Sequence, residues 1–335
     1  MPGQHRVAHP PEGQVPLTAF EAQVDEDNDG LRLDVYLAEQ IEDASRSFVK
    51  RLIKEGQVRV NGSVCTRPAR VVSTGLTICA EIPPPPDTEL EAENIPLDVL
   101  YEDADLVVVN KPSVLVVHPA PGHDSGTLVN AILYHCRDFE RPGADSRRPG
   151  IVHRLDRFTS GVLVVAKTAR AYASLSCQAR EHTFDRRYLA LVRGEFAEAA
   201  GRIDAPMGRS TADRARMTVT GIRSRPAVTR FEVLERFGVA SLVALTLETG
   251  RTHQVRVHLR FAGHPVLGDP VYGEAGFGSW AIPDSAKGRL SALDGQALHA
   301  ERLGITHPAT GERQSFSAPP PPDFMAALDA LRGLP

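Results

Sequence analysis

The sequence predicts an α+β chain of two folded units, and three observations carry that expectation. A length of 335 residues exceeds one typical domain, and a 42% hydrophobic content suffices for one sizeable core plus a smaller module. Short β-prone apolar runs, such as 106–109 and 162–166, are interleaved with stretches whose apolar residues recur at helical spacing. Between the two units, Pro83 to Pro86 form a stiff, extended run without amide donors, after which the style of the sequence changes.

Residues 1–30 are polar, proline-bearing and acidic near Asp25 to Asp29, which predicts a disordered acidic arm and lacks a signal-peptide profile. Leu33, Leu37 and Ile41 predict a first helix. Ser45 or Ser47 then caps a second, whose apolar face is Phe48, Leu52 and Ile53 and which stops at Gly56. Val58 and Val60 alternate with polar neighbours, and Asn61-Gly62 is a hairpin turn before Val64. Residues 31–82 thus make a small module, 83–95 a linker, and 96–327 the larger domain.

The net charge of −4 argues mildly against a nucleic-acid partner, but it hides a local pattern. Between Ser45 and Arg70 stand Arg46, Lys50, Arg51, Lys54, Arg59, Arg67 and Arg70 against Glu55 alone, an excess of the kind that tracks phosphates. Arg46, Lys50 and Lys54 lie four apart and form one stripe, with Arg51 and Arg59 alongside. Taken alone, such a stripe is more often an ordinary solvated helix face.

In the larger unit, Leu106 to Asn110 predicts a buried strand and Val114 to Val117 the next. Leu128, Ile132 and Leu133 predict a helix after a loop marked by Gly122 and Gly126-Thr127. Lys111 and His118 are assigned to loop solvation. The run Arg148-Pro-Gly-Ile-Val-His-Arg-Leu-Asp156-Arg-Phe-Thr-Ser-Gly161 is the most informative segment. It sets one carboxylate, Asp156, between Arg154 and Arg157, just before the buried strand 161–166. Opposite charges favour the ionised form, so Asp156 is expected to be a permanent anion on a loop held against a rigid sheet.

Tyr188 opens the strand-like run 188–192, behind Arg186 and Arg187; it is either a core aromatic or a face on which a base can stack. Residues 239–247 predict a strand, Thr249-Gly250 a turn, and Val255, His258, Leu259 and Ala262 one face of a helix ending at Gly263. Arg251 therefore falls at a strand-to-helix turn, from which a guanidinium can hold a carboxylate bidentately, and Asp156 is its expected partner. His253, Arg256, His258 and His264 lack acidic or cysteine companions at tight spacing, so no metal is expected. The four cysteines are far apart and read as reduced and structural.

His-Arg-Leu-Asp156 followed by Thr-Ser-Gly161 resembles the signature of the RluA family of RNA pseudouridine synthases, and segments similar to that family run in order from Leu31 to Phe324. Ser-Arg-Ser47 with Gly56-Gln-Val-Arg-Val-Asn-Gly62 resembles an S4-like RNA-binding domain. The resemblance implies a catalytic domain with a mixed, mainly antiparallel central sheet flanked by helices and loops, behind a small S4-like α/β module. It implies an enzyme that isomerises uridine in RNA, by resemblance most often large-subunit ribosomal RNA, with no cofactor. Asp156 would carry the chemistry, Tyr188 pack the extruded base, and Arg251 orient Asp156. Arg46, Lys50, Arg51, Lys54, Arg59, Arg154 and Arg157 would contact RNA. Leu267 would meet the target base by resemblance, although its surroundings are those of a core leucine. Phe158, where the family often has an acidic residue, and Gly75-Leu76, where the RNA-binding domain usually has Gly-Asp, depart from the pattern.

No run approaches the ~18 apolar residues that cross a bilayer, and a cytoplasmic monomer is expected. Two alternatives stay open, a transfer-RNA substrate and a noncatalytic RNA-binding or ribosome-assembly protein on the same fold. A zinc-dependent base deaminase is set aside, because its His-x-Glu and Pro-Cys-x-x-Cys arrangement is missing.

Overall fold

A computed structural model describes residues 18–25, 28–41, 46–82, 90–119, 124–143, 145–210, 213, 216–274 and 276–334. They fall into two compact units, divided between residues 88 and 89. Among them no helix is long and apolar enough to cross a membrane.

The small unit contains β1 (Thr18–Gln23), α1 (Leu33–Gln40), α2 (Arg46–Lys54), β2 (Val58–Val60), β3 (Ser63–Val64) and β4 (Thr77–Ile82). Its sheet runs β1-β4-β2-β3, and Leu33, Leu37, Leu52 and Ile53 are fully buried against it. The two helices and the Asn61-Gly62 hairpin, with both turn residues at positive φ, form as the sequence predicts. The disordered arm needs correction. Residues 18–23 pair antiparallel with β4, from Thr18↔Ile82 to Gln23↔Thr77. Phe20, Ala22 and Val24 alternate inward against exposed Glu21 and Gln23, a period of two that the acidic composition disguises. Residues 1–17 and the Pro83 to Pro86 run lie outside the described residues.

The larger unit contains β5 (Asp98–Glu102), β6 (Leu106–Lys111), α3 (Leu128–His135), β7 (Ser160–Ala166), α4 (Ala169–Arg180), β8 (Asp185–Arg193), β9 (Ala200–Asp204), β10 (Met207–Arg209), β11 (Met217–Val219) and β12 (Ile222–Arg225). It continues with β13 (Val228–Arg236), β14 (Ala240–Leu247), α5 (Gln254–Phe261), α6 (Asp284–Ser291), β15 (Leu298–Thr306), β16 (Arg313–Ser317) and α7 (Pro322–Arg332). The central sheet runs β5-β6-β7-β15-β8-β14-β13-β9, with β16 also on β15; among the described residues only its β7–β15 pairing is parallel. It is therefore the mixed, mainly antiparallel sheet expected.

Both faces of this sheet are covered. Along β7, Val162 and Val164 enter one core with α4, while Leu163 and Val165 enter the other with α3. That explains why the strand reads as a continuous apolar run rather than an alternating one. Gly161 marks the parallel crossing: its φ is +114°, and a Cβ there would lie 2.2 Å from the Ala300 carbonyl oxygen. No side chain fits.

Two further expectations fail here. Residues 90–95 are no free linker, since the Asn130 side chain donates to the Glu91 carbonyl and the Glu93 amide to the Asn130 carbonyl. Val114 to Val117 is not a strand and holds only a single parallel bridge, Val116↔Thr127. Its carbonyls are engaged elsewhere: Val116 and Val117 accept from the first amides of α3, and Leu115 accepts from the Lys111 ammonium.

Candidate active site

Asp156 lies on the loop between Gly150 and β7, and the loop is pinned at several points. The Phe158 amide donates to the Ser113 carbonyl at 2.7 Å, and the Gln296 amide nitrogen donates to Arg157 O and Thr159 Oγ1 at 2.7 and 3.0 Å. His153 Nε2 accepts from the Val164 amide at 3.1 Å, tying the loop to the strand it precedes. Such fixing leaves one carboxylate aimed with little freedom, as a reacting group requires.

The guanidinium that meets Asp156 belongs to Arg256, not to Arg251. Arg256 Nη1 donates to Asp156 Oδ2 at 3.0 Å, while its Nε and Nη2 donate bidentately to Asp269 at 2.7 and 2.8 Å. Arg251 lines the same cavity but turns its Nε to the Pro226 carbonyl at 3.3 Å. The geometry of α5 decides between them. Its N-cap residue is His253 at φ +57°, so Arg251 precedes the helix, whereas Arg256 projects from the first full turn into the interior. A signal was available, because Arg256 sits between Val255 and Val257 in a helix whose residues 254–259 are all buried, and Asp269 follows 13 residues later. A cation with no water needs an anion.

Asp269 is buried, and burial works to raise its carboxyl. The Arg256 guanidinium and the Val271 and Tyr272 amides outweigh that and hold it below the ordinary range. Burial likewise works against the Arg256 charge, and its two carboxylate partners override it. The Tyr272 ring packs under the guanidinium at 5.0 Å, and its hydroxyl meets His253 Nδ1 at 2.8 Å. His253 Nε2 in turn faces Asp156 Oδ1 at 3.9 Å, and burial depresses its pKa despite the pull of Asp156.

Asp156, Tyr188, Arg251 and Arg154 are brought together as walls of one cavity of about 640 Å³, within the usual range for small-molecule sites. Tyr188 is 8% exposed, and burial raises its phenol pKa, so it stays protonated near neutrality. Leu267 sits in the main core, with its amide bonded to the Leu191 carbonyl. Arg157 is exposed and lies over the Phe158 ring at 4.8 Å.

Lys111 and His118 are not solvated loop residues. Lys111 is fully buried, and its Nζ donates to the carbonyls of Pro112 and Leu115 at 2.8 and 2.9 Å. Burial pushes its pKa down to about 7 against the opposing pull of Asp156. His118 lines the cavity, and burial, with Arg154 and Arg148 nearby, pushes it down to about 4.

The basic candidates of the small unit form their own surface. Arg51, Lys54 and Arg59 are exposed, with Arg51 5.4 Å from the Phe48 ring centroid. Lys50 leaves the stripe in part, its Nζ reaching the buried Asp34 at 3.8 Å. The Arg46 side chain lies outside what is described. Among possible metal ligands, His258 is held by Thr229 Oγ1 and the Ala205 carbonyl. Glu102, His135 and Cys136 converge elsewhere. There Lys167 donates to Glu102 at 2.8 Å and burial lifts the Cys136 thiol to about 12, so the group reads as an ion-pair network.

The chain is similar to known proteins over most of its length. The RNA pseudouridylate synthase family profile matches residues 105–261, and the S4 domain profile matches residues 31–78. A Bacillus subtilis protein named as an uncharacterized RNA pseudouridine synthase is 44% identical over 320 residues, 95% of this chain and 98% of its own. Ribosomal large subunit pseudouridine synthase D of Pseudomonas aeruginosa is 42% identical over 307 residues, 90% of this chain and 92% of its own. The solved structure of human RNA pseudouridylate synthase domain containing 1 matches with a TM-score of 0.54 at 29% identity, covering 73% of this chain and 98% of that one.

Proposed function

We propose that this chain, which belongs to the RNA pseudouridylate synthase family, isomerises specific uridines of large-subunit ribosomal RNA in the cytoplasm, with Asp156 as the reacting carboxylate and no cofactor. The observation that carries the reading is the hydrogen-bonded series Asp269–Arg256–Asp156 opening into a cavity beside Tyr188.

In the reaction the bond from uracil N1 to ribose C1′ breaks, the base turns, and C5 bonds to C1′. The C5 proton leaves and N1 takes one up, so nothing is added or lost overall. Arg256 holds Asp156 Oδ2, so Oδ1, with His253 Nε2 3.9 Å away, is the oxygen that acts. It attacks C1′, attacks the uracil ring, or removes a ribose proton. Each route uses an anion fixed by a buried cation. Tyr188 offers a ring for the base and a protonated hydroxyl for a late proton transfer. A base inside a helix must be flipped out at roughly a few kcal/mol. Phosphate contacts from Arg51, Lys54 and Arg59 of the S4-like unit offset that cost.

Two experiments test the reading. Pseudouridine mapped in RNA from cells with and without this protein should disappear from one or a few large-subunit positions; loss confined to transfer RNA would move the substrate. Purified Asp156→Asn should bind RNA and turn over none, and retained turnover would remove Asp156 from the chemistry.

A further inference from the structure

Arg186 stands two residues before Tyr188 on β8, so the two side chains leave the same face of the strand, and both line the cavity. Arg186 is only 9% exposed, yet its Nε and Nη2 have no hydrogen-bond partner and it forms no ion pair among the described residues. A buried guanidinium without a counter-charge is costly and calls for an anion. The setting keeps it that way. A Cβ at Gly250 would sit 2.5 Å from Arg186 Nη1, so any larger residue in this turn would push the tip of the arginine out of its present position.

The rest of the cavity points to the same ligand. Arg148, Arg154, Arg180 and Arg251 share its wall with Arg186, while the one carboxylate among the described lining residues is Asp156, already taken by Arg256. His118 Nδ1 in that wall is also buried without a partner. A uracil carbonyl would satisfy a donor of Arg186 but leave its charge unmatched. A phosphodiester satisfies both, and its oxygens fit the guanidinium fork.

We propose that Arg186 binds a phosphodiester of the RNA at the nucleotide entering over Tyr188, with Gly250 as the residue that leaves room for it. The inference rests on RNA entering this cavity and deepens that reading by naming a subsite for the backbone.

The probes are inorganic phosphate, uridine 5′-monophosphate and uridine, titrated into the full chain carrying 15N-arginine. The Arg186 Nε–H signal is identified by its loss in Arg186→Lys. Phosphate and the monophosphate should shift it, and uridine should not. A shift with uridine alone would assign the guanidinium to the base, and no shift with either phosphate probe would leave the site without a ligand; both overturn the proposal. Because this reads binding only, it can be run on Asp156→Asn, so failure of the Asp156 assignment does not touch it.

On a ribosomal RNA transcript, Arg186→Gln should raise KM about tenfold with kcat less affected. It should lower the slope of log affinity against log salt by about 0.7, the value for one single-strand phosphate. Arg186→Lys should restore the slope. The free Arg186→Gln protein should melt no lower than wild type, since a buried unmatched charge is gone. A lower melting temperature with an unchanged slope would make Arg186 a structural residue and sink the assignment. Gly250→Ala should reproduce the KM defect in wild type but add nothing in Arg186→Gln.

Discussion

The chain gathers cations in two places that obey different physics. On the small unit, Arg51, Lys54 and Arg59 stand in water, where each contributes through long-range attraction that salt screens. In the larger unit Arg256 is buried and donates three hydrogen bonds to two carboxylates, so its charge acts at short range in a fixed direction. On the function proposed above, the first arrangement sets how strongly a polyanion is held and the second what happens to one nucleotide.

The sharpest way to break that contrast is Asp156→Asn, which should leave no detectable turnover, a loss of about a thousandfold or more, while RNA affinity, measured by filter binding, stays within about threefold. Next is Arg256→Met, which leaves Asp269 buried without its partner. Stability by urea unfolding should fall by about 3–5 kcal/mol, whereas Arg251→Met should cost far less, because Arg251 holds only a backbone carbonyl. Equal losses in the two variants would erase the distinction between them.

Changing Arg51, Lys54 and Arg59 together to Gln should leave kcat at saturating RNA unaltered. The salt slope of affinity should fall by about 0.7 for each phosphate that is no longer neutralised. An unchanged slope would take this face out of RNA binding.

The smallest effect concerns acid. His118 is held near pH 4 in the fold against 6.5 when free. As pH falls through 6.5 toward 4, the unfolded chain takes up the proton first, so this contribution to stability is present above 6.5 and lost below it. At pH 5 the loss is about 2 kcal/mol. His118→Phe should therefore lose less stability than wild type between pH 7.5 and pH 5.

Much of this was legible in residue order. Strand β7, helix α3 and the Asn61-Gly62 hairpin each follow from local patterns that tertiary packing reinforces. What was not legible depended on partners distant in sequence. Strand β1 exists because β4 offers it an edge, and Val114 to Val117 fails as a strand because Lys111 and α3 claim its carbonyls. Arg251 and Arg256 are both plausible mates for Asp156 until the turn of α5 fixes which of them faces inward. Lys111 and His118 flank apolar runs, and only the closed fold reveals that both are buried.

The anchoring of the Asp156 loop has a temporal side. Gln296 grips the loop from 139 residues downstream, and His299 bonds Ser160 across the same interval. Arg256 arrives 100 residues after the carboxylate it steadies. A growing polypeptide that has exposed only its first half therefore carries the reactive group without its supports. The carboxylate is steadied only once synthesis has passed the residues that hold its loop, the last of them His299.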